Sequence, residues 1–212
     1  MEQPTNAPEP AKPSHGTPGP GGSTARLAAL GAVAFTLPSL LVFGSWAWGG
    51  RFFYRNLGEA GAYAAWAFMF IGLAAFLMPR ALAPEGTRGR FALAFSLGFL
   101  LYSFLWSLAW MKISNRPGEW IGSAAGTAGY IWVMRCFFAS ERSFVKEWSL
   151  LFLLHSAGYF AGSLIFEALK HSTLSMMAWG LTYGLGMGAG MGAAFRPKPK
   201  AETQNPNPSP ST

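Results

Sequence analysis

Apolar residues fill six stretches of the chain, roughly 27–49, 59–79, 91–111, 118–138, 148–169 and 173–195. A helix rises about 1.5 Å per residue, so about 20 residues cross a hydrocarbon core of about 30 Å, and every stretch is long enough. Charges and turn-forming residues collect between them, in "GRFFYRNLG", "RALAPEGTRG", "KISNRPG", "ASERSFVKE" and "KHS". None of the stretches alternates polar and apolar residues as the strands of a membrane barrel do. The pattern predicts an all-α integral membrane protein, a six-transmembrane-helix bundle over residues 26–196. Residues 1–25 and 197–212 are crowded with proline, glycine and polar residues. They bury too little surface to offset the entropy of ordering and are expected to be disordered tails.

The helices read as three hairpins with an internal repeat. At an offset of 60 residues, "AVAFTLPSLLVFGSW" (32–46) falls on "ALAFSLGFLLYSFLW" (92–106), pairing Phe35 with Phe95 and Trp46 with Trp106. Without a gap, Gly58-Glu59 then meets Gly118-Glu119. A third copy is faint, with Ser156, Gly158 and Ser163 over Ser96, Gly98 and Ser103. Copies with an even number of spans share an orientation, which places their pseudo-axis along the membrane normal.

The last span carries Gly180, Gly184, Gly188 and Gly192, spaced by four, with Gly186 and Gly190 on an adjacent stripe. Spacing by four makes one helix face. In lipid, where apolar burial drives little association, small residues allow the close backbone contact that holds helices together. The run is not a dinucleotide-binding loop, which needs a preceding strand. Span four offers Gly118, Gly122 and Gly126 as a partner face, and span five offers Gly158 and Gly162. The alternative is an interface with a second membrane protein or a second copy of the chain.

The composition agrees with the lipid bilayer as the main partner. Hydrophobic residues make up 51% of the 212 positions and charged residues 12%. The net charge of +7 lies at span ends and in the tails, where it serves as a topology signal, and nucleic-acid binding is not expected. One side collects Lys12, Arg26, Arg80, Arg88, Arg90, Arg135, Arg142, Lys146, Arg196, Lys198 and Lys200. The other holds Arg51, Arg55, Lys112, Arg116 and Lys170. The bias predicts both termini in the cytoplasm and a cytoplasmic (inner) membrane. Trp46, Trp48, Trp106, Trp110, Trp120 and Trp148 fall near span ends, where indoles prefer the interface. The single cysteine, Cys136, excludes an intrachain disulfide, and no residue spacing suggests zinc.

Ionisable groups within a membrane are expensive, so each is a functional candidate. His155 lies deep in span five, Glu59 and Glu119 open spans two and four, and Glu167 closes span five. At an outer end a glutamate also complements the helix dipole. Glu167 and His171 stand at i,i+4 and could pair, but a metal would need a further ligand. The stretch "HSAGYFAG" (155–162) is similar to the histidine helix of rhomboid intramembrane proteases. The matching GxSG serine motif is absent at "GSAAG" (122–126), and helix rise separates Ser123 from His155 by about 10 Å in depth. No catalytic residue, cofactor or metal follows. Three function classes remain, in order: a structural or assembly subunit of a membrane complex, a passive or weakly coupled small-solute transporter, and a membrane enzyme using His155.

Overall fold

The computed structural model describes residues 23–195, so the expectations for the two tails fall outside it. Thr24 and Ala25, read above as tail, already belong to the first helix. Five helices follow in order: α1 (Thr24–Leu82), α2 (Arg88–Ile113), α3 (Asn115–Phe137), α4 (Phe144–Ala168) and α5 (Thr173–Ala194). No strand occurs among the described residues. Helices α1, α2 and α4 are long and apolar enough to cross a membrane.

The first departure from the sequence reading is α1, whose 59 residues take in both of the first two expected spans. Residues 50–58 were expected to form a loop, yet they stay helical and the chain turns at Gly58 alone, with φ 68° and ψ 179°. Beyond it the chain folds back. Trp66 packs on Trp46 at 5.8 Å and on Phe53 at 5.4 Å, and Phe70 packs on Phe35 at 5.1 Å. A straight helix could not bring these rings together. Only glycine adopts this backbone region freely, and another residue held there stores about 1–3 kcal/mol. A Cβ at Gly58 would touch nothing within 4 Å, so strain alone should set the effect of Gly58→Ala. We expect a loss of about 1–3 kcal/mol in a chemical unfolding series in detergent. An unchanged midpoint would show that the turn does not constrain the hairpin.

The later turns are tighter than loops as well. Ser114 and Asn115 between α2 and α3 have φ of 58° and 59°, and Lys170 and His171 between α4 and α5 have 51° and 59°. Serine hydroxyls accept the first free backbone N–H groups of three helices: Ser23 from Arg26, Ser143 from Lys146 and Ser172 from Ser175.

The core is aromatic. Phe35 is fully buried, with the rings of Phe70, Phe95, Phe99 and Tyr183 centred 5.1–6.4 Å away. Phe35 and Phe95, paired by the repeat alignment, are alike in burial and touch each other. Gly58 and Gly118, paired by the same alignment, are not alike. Gly118 is buried inside α3 against the Ala109 carbonyl of α2, and Gly58 is the exposed turn.

Glycine places the helices. A Cβ on Gly180 would meet Phe43, one on Gly184 would lie 2.7 Å from Thr36 Cα, and those on Gly188 and Gly192 would strike the carbonyls of Gly31 and Leu27. The main stripe of α5 therefore lies antiparallel on the N-terminal arm of α1 (24–57). Neither face considered above receives it, because Ala28, Gly31, Thr36 and Ser39 offer another set of small residues. Ser39 Oγ seals the contact by donating to the Gly180 carbonyl at 2.6 Å. The second stripe, Gly186 and Gly190, lies on α4, where Gly186 faces Gly158 and Gly162 meets Trp179. Gly122 and Gly126 of α3 close on Trp106 and Tyr102 of α2.

Candidate functional site: an aromatic cavity

A cavity of about 300 Å³ lies among both arms of α1 (24–57 and 59–82), α2, α4 and α5. Its position follows from ring packing. Phe70 and Phe99 stack at 5.3 Å with their planes 6° apart, which joins the two helices at that depth. Above this pair they separate. Trp66 packs only on rings of its own hairpin, and Trp106 packs on Trp110 and Tyr159. No ring contact among the described residues joins Trp66 to Trp106, and the cavity occupies the gap. Tyr102, Tyr159 and Tyr183 form its rear wall, and Ala67 and Ser107 flank its exposed side. No ionisable acid or base lines it, apart from phenols.

Directly behind the rear wall is His155, which is fully buried. Its Nε2 lies 2.7 Å from the Tyr102 hydroxyl. Tyr159 stacks on its ring at 5.9 Å and Tyr183 meets it edge-on at 5.7 Å. Nδ1 has no hydrogen-bond partner in the protein. His155 is thus held among three phenols. Ser123 is also fully buried, and its hydroxyl bonds to nothing in the protein, His155 included.

Neither a family model, nor a curated protein, nor a solved structure is significantly similar to the chain. The site therefore has to be interpreted from its own chemistry.

None of the candidate glutamates lines the cavity, although Glu119 interacts with the Tyr159 phenol of its wall. Glu59 is exposed and makes no hydrogen bond or ion pair. Glu119 and Glu167 meet instead at one rim cluster. Arg116 donates from Nη1 to Glu119 at 3.2 Å and to Ser163 at 3.0 Å, and from Nη2 to Glu167 at 2.6 Å. Arg116 is 41% exposed and Glu167 56%, so the cluster ties α3 to α4 in water at little net gain. Glu167 does not pair with His171, whose ring lies on Phe166 at 4.4 Å in the turn. No group of three metal-binding side chains exists among the described residues.

Sequence reasoning missed a second network at the opposite end. Glu147 is almost fully buried and accepts from Arg135 at 2.9 Å and from the Ser140 hydroxyl. Arg142 donates to the Ala193 carbonyl at 2.6 Å and to Thr24 Oγ1 at 3.1 Å. One loop, between α3 and α4, so fastens both ends of the described chain. The run "RSFVKE" held a signal for this, a glutamate in the first turn of a helix with Arg142 five positions before it.

Proposed function

We propose that this protein is a solute-binding integral membrane protein that takes a small, mostly apolar molecule into the aromatic cavity. The cavity carries this reading. Ligand pockets have volumes of about 300 Å³ upward, with aromatic walls and a few convergent polar groups. In this cavity Trp66, Phe70 and Phe99 supply the apolar surface, and the phenols and Ser103 supply the polar groups. In a topology of six crossings, α1 accounts for two of them, as a hairpin at Gly58. With both tails on the cytoplasmic side, the cavity lies in the outer half of the bundle. The position of Arg80, Arg88, Arg135 and Arg142 at one set of helix ends supports that orientation. Six crossings, three hairpins and a cytoplasmic membrane remain parts of this reading.

The structural-subunit reading rested on glycine faces available to a partner. Gly180, Gly184, Gly188, Gly192, Gly122, Gly126, Gly158 and Gly162 all lie against helices of the same chain, so these glycines do not themselves favour a partner. The stacked Phe70 and Phe99 close the cavity inward, so passage across the membrane requires these rings to move.

The test is binding of fluorene, a flat hydrocarbon, to the protein in lipid nanodiscs, corrected for empty discs. Leucine at Ala67 would project into the cavity from an exposed position. Ala67→Leu is therefore expected to weaken binding at least fivefold with no change in melting temperature. Equal binding by the two proteins would refute the cavity as a binding site.

A further inference from the structure

The cavity's rear wall specifies more than apolarity. Tyr102 is buried and lines the cavity, and its hydroxyl lies against His155 behind the wall. Neutral imidazole has one N–H donor and one bare nitrogen. If Nδ1 carried the hydrogen, a buried donor would have no acceptor, since Nδ1 has no partner. Orphaned buried donors are rarer than under-used acceptors. The favoured tautomer therefore places the hydrogen on Nε2, which donates to the Tyr102 oxygen. The Tyr102 hydroxyl hydrogen then points away from His155, toward the Tyr183 hydroxyl and the cavity that both tyrosines line.

We infer that the cavity selects a neutral, flat ring compound bearing a carbonyl oxygen, which accepts a hydrogen bond from Tyr102 while His155 positions that hydroxyl. This rests on the solute-binding reading above and adds the ligand's chemistry. Neutrality follows from the lining. A carboxylate ligand would find no cationic side chain there, and a cation would find no carboxylate. Flatness follows from the aromatic walls, which gain most from ring stacking and edge contacts. A compound of this kind partitions into lipid, so it arrives from the bilayer through the gap between Trp66 and Trp106.

Three probes of similar rigidity separate the possibilities: fluorenone, its parent hydrocarbon fluorene, and phenyltrimethylammonium. Affinities are measured by calorimetry in nanodiscs, with empty discs as the blank. Fluorenone is expected to bind about tenfold more tightly than fluorene, the size of one hydrogen bond to a buried donor. Its carbonyl stretch, read by infrared difference spectroscopy on the unaltered protein, should fall below its frequency in lipid. Tyr102→Phe should remove both the tenfold advantage of fluorenone over fluorene and the frequency shift. The infrared measurement needs no variant, so a misfolded Tyr102→Phe protein would not rescue the inference. Equal affinities for ketone and hydrocarbon, an unshifted carbonyl band, or tightest binding of the ammonium ion would overturn it. If Ala67→Leu still abolished binding in those cases, the solute-binding reading would stand. If no probe bound above the empty discs, both would fall.

Discussion

Gly188→Leu is expected to prevent the bundle from forming. A side chain at Gly188 would occupy the place of the Gly31 carbonyl and come within 2.7 Å of Phe35 Cβ. Overpacking costs about 1–3 kcal/mol where neighbouring side chains can yield. Here the obstacle is backbone, so α5 would have to leave α1, and with it the Ser39–Gly180 bond would be lost. Size-exclusion chromatography in mild detergent should show aggregated or polydisperse protein. Gly72→Leu is the control, because nothing lies within 4 Å of a Cβ at that position and it faces outward. Gly72→Leu should elute and melt like the unaltered chain. Two indistinguishable variants would mean that the contact between α1 and α5 is not what the structure shows.

Arg135→Ala is expected to be the most damaging change among the charged residues. It leaves the Glu147 carboxylate, whose side chain is 4% exposed, with the Ser140 hydroxyl as its one remaining side-chain donor. Removing one partner of a buried pair costs about 3–5 kcal/mol, because the other charge stays buried and unpaired. Arg135 is itself 34% exposed, so water reaches that side of the pair and the lower end of the range applies. The comparison is Arg116→Ala at the opposite rim, where exposed partners predict a loss below about 1 kcal/mol. Thermal unfolding of the two variants side by side decides the matter. Replacing Arg135 and Glu147 together with Met and Leu should recover most of the loss, since no unpaired charge is left behind. Equal melting temperatures for Arg135→Ala and Arg116→Ala would show that Glu147 is solvated in the native state.

Much of the fold was legible in the hydrophobic pattern. The apolar stretches became helices, and the turns fell within "GRFFYRNLG", "KISNRPG" and "KHS", at Gly58, Ser114-Asn115 and Lys170-His171. A length rule separates helices wherever polar residues interrupt them. It could not show that the first interruption is itself helical as far as Leu57. The glycine stripe of α5 was visible, but its partner was not. Spacing by four encodes how near another helix can come and not which helix comes, and the small residues that receive the stripe, Ala28, Gly31, Thr36 and Ser39, are not themselves spaced by four.

The site was less legible for a different reason. His155 was visible as a buried ionisable residue, yet its partner Tyr102 is 53 positions away and was one of several tyrosines with no distinguishing neighbour. The cavity could not be seen at all. It is a space left where Trp66 turns to its own hairpin and Trp106 to Trp110 and Tyr159, and no residue in the sequence marks an unfilled volume.

The antiparallel seam between α1 and α5 also sets the order of biogenesis. The Ser39 hydroxyl finds its acceptor 141 positions later, and the Gly31 face finds its cover in a helix made after all the others. While the ribosome is still extending the chain, that face has no partner among the helices already made. Nascent chains arrested before Gly180 should therefore remain bound to insertion chaperones, and release should come only when α5 closes the ring.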